Sequence, residues 1–292
     1  MGDRPVNMLS PHTDLISLPP TEQLFKAMKM TRSLFLAAFL TLLASPIAMA
    51  GTSTSPAAAT VDGILQETSS PWHFRIAPYA WLTSTTGTIG AGPLSADAGL
   101  SSSDILSSLE VAAMLIAEVG YDKWSFENDL IYARFKSSKE TPGPIFGELN
   151  STLNQLLWTS LLGYRVIDTP RFTADLQAGF RLISLGLDLE LTPGLLGGRS
   201  RYFDRTWIDP IIGLRTRTYL TDWLFIPLRG DIGGFGANSN LTWQAFGGLG
   251  FQVSRWAALV VGYRTIGYNY DQANFTYNVN THGPLLGLEL KF

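Results

Sequence analysis

From residue 72 to the last residue the chain repeats one pattern: apolar and polar side chains alternate with a period of two, and turn residues separate the runs. The final stretch, G-P-L-L-G-L-E-L-K-F, shows it cleanly. Leu286, Leu288, Leu290 and Phe292 share one face, and Gly287, Glu289 and Lys291 share the other. Strands of this kind make a sheet with one oily and one polar side, and the oily side must leave water. A soluble sandwich or lipocalin-like barrel turns it inward and gathers its aromatics centrally. A membrane barrel turns it outward.

The flanking sequence favours the membrane. Lys29 and Arg32 precede an apolar run at 34–43, too short for a helical span, which needs about 20 residues. Ala48-Met49-Ala50 then fits a small-x-small cleavage site. The expected organisation is an upstream extension at 1–27, a signal peptide at 28–50 starting at Met28 or Met30, and cleavage after Ala50. A Thr/Ser/Ala-rich periplasmic linker at 51–70 and a barrel at 71–292 follow. No run of 18 apolar residues occurs in the barrel region. Yet charged residues are only 15% of the chain, against about 25% in a typical soluble domain. A polar inner face diluting an oily outer one explains both. Cysteine is absent, in keeping with an exported chain that uses no disulfide, and a net charge of −3 gives no sign of nucleic acid.

Ten segments are expected to be strands: 72–82, 110–121, 123–135, 150–166, 171–190, 202–218, 223–234, 241–253, 256–270 and 283–292. Short connections at 121–123, 167–170, 220–222 and 254–255 alternate with long ones at 83–109, 136–149, 191–201, 235–240 and 271–282. Short periplasmic turns and long external loops are the rule for such barrels, so both ends of the barrel lie in the periplasm and the strand number is even. The fold class is therefore all-β, an antiparallel transmembrane barrel of ten strands. A twelve-strand alternative would use 85–98 and 275–280 as further strands. A short helix is expected at 103–109, capped by Ser102 or Ser103.

Aromatic residues suggest two interfacial belts. Trp72, Tyr121, Trp124, Tyr164, Tyr219, Trp223, Phe251, Trp256 and Phe292 lie at the short-turn end. Tyr132, Phe135, Tyr202, Trp207, Trp243, Tyr268 and Tyr270 lie at the other. Positions such as Leu156, Trp158, Leu162, Ile208, Ile212, Leu228 and Leu249 face outward and carry no charge. The opposite face holds the acids Glu118, Glu127, Asp129, Asp175, Asp209, Asp231 and Glu289, and the bases Arg75, Arg165, Arg181, Arg215, Arg217, Arg229 and Arg264. In a narrow lumen these groups are expected to pair into a network that fills the barrel. Inward glycines, among them Gly179, Gly213, Gly248 and Gly262, leave the alternative of a narrow polar conduit.

At Phe74-Arg75-Ile76-Ala77-Pro78-Tyr79-Ala80-Trp81-Leu82 the chain resembles a family of poorly characterised proteobacterial outer-membrane barrel proteins. Thr86-Gly87-Thr88-Ile89-Gly90, Ser102-Ser103-Asp104-Ile105-Leu106 and Tyr121-Asp122-Lys123-Trp124 continue the likeness. The resemblance implies a bacterial outer-membrane location and a terminal assembly signal, here Leu286, Leu288, Leu290 and Phe292, read by the barrel-assembly machinery. The expected partners are that machinery, periplasmic chaperones, outer-membrane lipids and lipopolysaccharide. A monomer is expected. The resemblance implies no substrate.

Candidates for chemistry are few. Of the barrel's two histidines, His73 starts the first strand and faces the lumen. His282 lies at the outer end of the last, with Asn280, Thr281 and Ser239 as possible companions. One available histidine does not make a triad. No Cys and no close His pair marks a metal site, although Asp271 lies among Asn residues able to meet Ca²⁺. No catalytic residue, metal or cofactor is assigned. The readings are a non-enzymatic structural or surface-interaction barrel, then a small-solute channel, then a membrane hydrolase.

Overall fold

The computed structural model describes residues 70–292 apart from 92–93, 141–145, 196 and 273. The upstream extension, the signal peptide and all but the end of the linker lie outside the described residues. Among the described residues, twelve strands and one helix follow in order: β1 (Trp72–Trp81), β2 (Ser84–Ala91), β3 (Leu94–Asp97), α1 (Ser102–Ser108), β4 (Leu109–Tyr121), β5 (Trp124–Glu140), β6 (Phe146–Asp168), β7 (Phe172–Pro193), β8 (Arg199–Tyr219), β9 (Leu224–Gly233), β10 (Leu241–Gln252), β11 (Ala257–Gln272) and β12 (Phe275–Lys291).

Strands β4 to β12 pair antiparallel in sequence order, β1 pairs with β4, and β12 returns to β1. The register settles the strand number. Trp81 lies opposite Leu285 on β12, and Ser84 lies opposite His282 without a slip. β2 is thus β1 resumed after a break at Leu82 and Thr83, and the closed wall has ten strands. β3 folds back on β2 as one strand outside it. The 85–98 segment is this hairpin, and 275–280 is the outer part of β12 rather than a further strand. Gly283 permits the break. Leu82 N donates to Pro284 O at 3.0 Å, and a Cβ on Gly283 would lie 1.7 Å from Leu82 O.

The helix starts one turn position earlier than expected. Ser101, not Ser102 or Ser103, caps it: its Oγ accepts from Asp104 N, while Asp104 returns a carboxylate oxygen to Ser101 N. β6, β7 and β8 have 23, 22 and 21 residues, about twice what a crossing needs, so the wall rises well past the membrane on the long-loop side.

The exterior is apolar around the wall, with Phe126, Leu162, Leu176, Ile212, Leu228, Leu249 and Leu288 exposed. The polar Asn128 on this face is met by Trp158, whose indole N–H donates at 3.0 Å. At the short-turn end, Trp72 packs on Tyr121, Trp124 on Tyr164 and Trp223 on Phe251, forming a girdle.

The second belt needs correction. Trp207, Tyr268 and Tyr270 are buried inside the lumen rather than facing lipid. With Trp81, Ile131, Leu157, Ile183, Ile266, Tyr277 and Val279 they make an apolar core across the outer half of the barrel. Trp207 packs against Tyr270, the ring centres 4.4 Å apart and the planes tilted by 31°. Their parity explains it: Trp207 shares its strand face with Asp209, and Tyr268 and Tyr270 share theirs with Arg264.

Candidate functional site

Beneath the apolar core the lumen is ionic, and strand register sets its layers. Arg75 lies opposite Glu118, but Glu118 lies opposite Glu127, a like-charge pair that a sheet alone would disfavour. Two arginines resolve it. Arg75 Nη2 donates to Glu118 at 2.9 Å and to Glu127 at 2.5 Å. Arg215, reaching across the lumen from β8, donates to Glu118 and, at 2.7 Å, to Glu127. Arg229 Nη1 reaches Glu127 Oε1 at 2.5 Å. Arg215 also binds Asp175 at 2.7 Å, which accepts from Arg165 Nε at 2.9 Å. Such charge-assisted bonds are the strong kind, and the fork of Arg lets one cation serve two carboxylates.

Above this layer, Arg264 Nη2 donates to Asp129 at 2.7 Å and to Gln244 at 2.7 Å, while Tyr79 donates to Asp129 at 2.6 Å and accepts from Arg264 at 2.9 Å. Arg181 has no exposure. It donates to Asp231 at 2.8 Å, Thr242 at 3.1 Å and Thr159 at 3.2 Å. Below, at the short-turn end, Arg217 grips Glu289 with two bonds of 2.8 and 2.7 Å and lies 4.4 Å over the Phe225 ring.

Of the residues singled out by sequence, Asp209 stands apart. It faces Arg181 across the ladder, yet its carboxylate accepts from Ser239 N, Ser239 Oγ and Trp207 Nε1 instead of an arginine. The lumen is not served by arginine alone, because Lys291 lies 3.0 Å from Glu289. The neutral members Tyr79, Thr159, Thr242 and Gln244 were missed. Tyr79 shares strand parity with Arg75, Thr159 lies opposite Arg181 and Gln244 opposite Asp231, but none carries a charge that marks it in the sequence.

A cavity of about 330 Å³ occupies the lower lumen. Its mouth is at the short-turn end, beside His73, Lys291 and Phe292, and its inner end is at Tyr79, Asp129, Gln244 and Arg264. His73 fits there because Gly120 opposite has no side chain; a Cβ would lie 1.9 Å from the imidazole. Side-chain exposure falls from 32% at Lys291 and 28% at Arg165 to 9% at Arg229 and 3% at Arg264, so water reaches this space from below. The apolar core closes it above.

The histidine constellation does not assemble. His282 Nδ1 lies 2.6 Å from Tyr263 Oη on the outer wall, and Asn280 Oδ1 accepts from Thr265. Ser239 is fully buried and engaged with Asp209. Asp271 accepts from Thr276. Among the described residues, no group of three or more His, Asp or Glu side chains gathers as a metal site.

No family model and no curated protein matches the chain. Solved structures similar to it include the outer membrane protease OmpT from Escherichia coli, at 11% identity and TM-score 0.48, covering 77% of this chain and 99% of that one. The translocator domain of the autotransporter NalP from Neisseria meningitidis is 13% identical with a TM-score of 0.42, over 78% and 91% of the two chains. Ail, the attachment invasion locus protein of Yersinia pestis, is 9% identical with a TM-score of 0.30, over 77% and 100%. At these scores the likenesses carry no argument about activity.

Proposed function

We propose that this chain is an integral barrel of a bacterial outer membrane whose lumen is closed and whose role is structural or surface-interacting rather than catalytic. The observation that carries the reading is the double filling of the lumen. An apolar core spans its outer half, and an Arg/carboxylate network braces the half below. An ion would have to part packed aromatic rings, which gives no polar path. The apolar exterior and the aromatic girdle support the membrane location. The tall β6–β8 wall, with Tyr202 exposed and with Arg134 and Lys136 on Glu110 at the rim beside it, is the surface offered to lipopolysaccharide or external partners.

Residues 51–292, refolded and checked for heat-modifiable gel mobility, would be inserted into a planar bilayer. The expected result is no steady conductance. Reproducible steps that change in Arg215→Ala, Arg217→Ala or Asp231→Ala would overturn the closed-lumen reading in favour of a small-solute channel.

A further inference from the structure

We propose that the inner face of the tall β5–β8 sheet, above the apolar core, binds a free single-chain amphiphile with an anionic head, taken up on the long-loop side. The first ground is register. Leu185, Leu187, Leu189 and Leu191 climb β7 at the parity of Arg181 and Ile183, which are buried in the lumen, so they point toward the barrel axis. Opposite them on β8 stand Arg205, Phe203, Arg201 and Arg199, in that order. On the other side, β6 sets Leu153 beside Leu187 and Leu149 beside Leu191. An apolar ladder thus runs beside a cationic one for about 20 Å, at roughly 3.3 Å per residue. Leu185 packs on the apolar core and is the foot of the ladder. Higher up the leucines are half-buried, Phe203 is 41% exposed, and Arg199 and Arg201 are exposed.

The second ground is charge sorted by face. On β5 to β8 above the core, the described carboxylates take the outer face. Asp188 lies opposite Tyr202, Glu190 opposite Ser200 and Asp204 opposite Gly186, all at the parity that alternates with the leucines. Glu140 lies opposite Glu148, which accepts from Ser138 on that outer face. The arginines of β8 take the inner face. Arg205 reaches over the Phe275 ring at 5.8 Å, and Arg201 lies 5.7 Å over Phe203. Lys139, across the sheet, already has the Asp104 carboxylate of α1 within electrostatic reach. Among the described residues no carboxylate pairs with Arg199 or Arg201.

The third ground is what the two ladders select together. An apolar ligand would leave the arginines without an acceptor, and a small polyanion would leave the leucines in water. A chain laid along β7, with its anionic head against Arg199 and Arg201, meets both, because apolar area leaves water while the guanidinium forks take carboxylate or phosphate oxygens. The face is turned to the barrel axis and away from the bilayer, so the ligand is a free amphiphile and not a membrane lipid. The proposal goes beyond the closed-lumen reading and does not depend on it.

The test uses the folded protein in phosphatidylcholine nanodiscs, titrated calorimetrically with decanoate, octanoate and decyltrimethylammonium, with empty discs titrated in parallel to remove partitioning into lipid. Saturable binding of decanoate is expected, at least tenfold tighter than that of the cationic amphiphile. Octanoate, two methylenes shorter, should bind about four- to sixteenfold more weakly, at roughly two- to fourfold per methylene. Arg199→Gln with Arg201→Gln should weaken decanoate tenfold or more, and Leu189→Asn severalfold. Lys136→Gln removes the same charge from the outer face and should change nothing. If Leu189→Asn does not fold by gel mobility, the exposed arginine pair carries the test. Absence of saturable decanoate binding above the empty disc overturns the proposal. So does equal affinity for the cation, a loss in the arginine variant that Lys136→Gln matches, or binding that appears only with lipopolysaccharide in the disc. The two readings fail separately: a conducting barrel that binds decanoate sinks only the closed lumen, and a silent barrel that binds none sinks only this site.

Discussion

Replacing Asp129 by Ala should destabilise the barrel by about 3–5 kcal/mol, because the change strands Arg264 as an uncompensated buried charge. The two side chains are 3% and 2% exposed and meet at 2.7 Å at the inner end of the cavity, the part least open to water, so solvent replaces the carboxylate poorly. Tyr79 loses its acceptor in the same step. Arg264 keeps the phenol oxygen of Tyr79 and Gln244 Oε1, which are neutral and recover only part of the loss. At about 1.4 kcal/mol per tenfold, the folding equilibrium should move by two to four powers of ten. Replacing the pair together, Asp129→Leu with Arg264→Met, removes both charges and fills much of their volume. Such exchanges are often neutral or stabilising by about 1–4 kcal/mol, here offset by the partners lost to Tyr79 and Gln244. The double variant should therefore be markedly more stable than Asp129→Ala. The assay is reversible urea unfolding in lipid vesicles, followed by tryptophan fluorescence and gel mobility, with the slope held equal between variants. A cost below about 1 kcal/mol for Asp129→Ala would refute the reasoning, since the water of the cavity would then be solvating Arg264 as well as the carboxylate does.

Three further outcomes follow from the same geometry. Trp207→Ala should cost about 3–5 kcal/mol, since it empties the centre of the apolar core and takes a donor from Ser239 and Asp209; urea unfolding checks it. Gly283→Val should prevent closure, because its Cβ has no room beside Leu82 O, and the heat-modifiable band should be lost while Leu286→Val retains it. Asp104 lies outside the membrane wall, and hydrogen bonds from Ser101 hold its carboxyl below the usual aspartate range. With the folded value depressed, the cap's contribution is complete above about pH 4 and is lost as pH falls through the lower folded value. Amide exchange over α1 should accelerate across that acid window, and Asp104→Asn should abolish the change.

Much of the wall was legible because period-two alternation is local. Parity separated Leu228 from Arg229 and Ile208 from Asp209 with no knowledge of partners, and the alternating connection lengths gave an even strand count. Parity also held the answer for Trp207, Tyr268 and Tyr270. Chemical type pointed those rings to a membrane interface, whereas alternation with Asp209 and Arg264 pointed them inward; the backbone geometry of a strand prevailed. What alternation cannot carry is the identity of the partner. That β2 resumes β1 against β12 is decided by the shared register of Trp81 and Ser84, which exists only once the last strand has returned to the first. The bonds from Arg215 to Glu118, 97 residues apart, likewise need closure to bring opposite walls within a side chain's reach. Sequence by itself determined which face each side chain takes, because that depends on one strand. Tertiary structure decided which charges meet and where the lumen is sealed, because those depend on the distance across a closed ring.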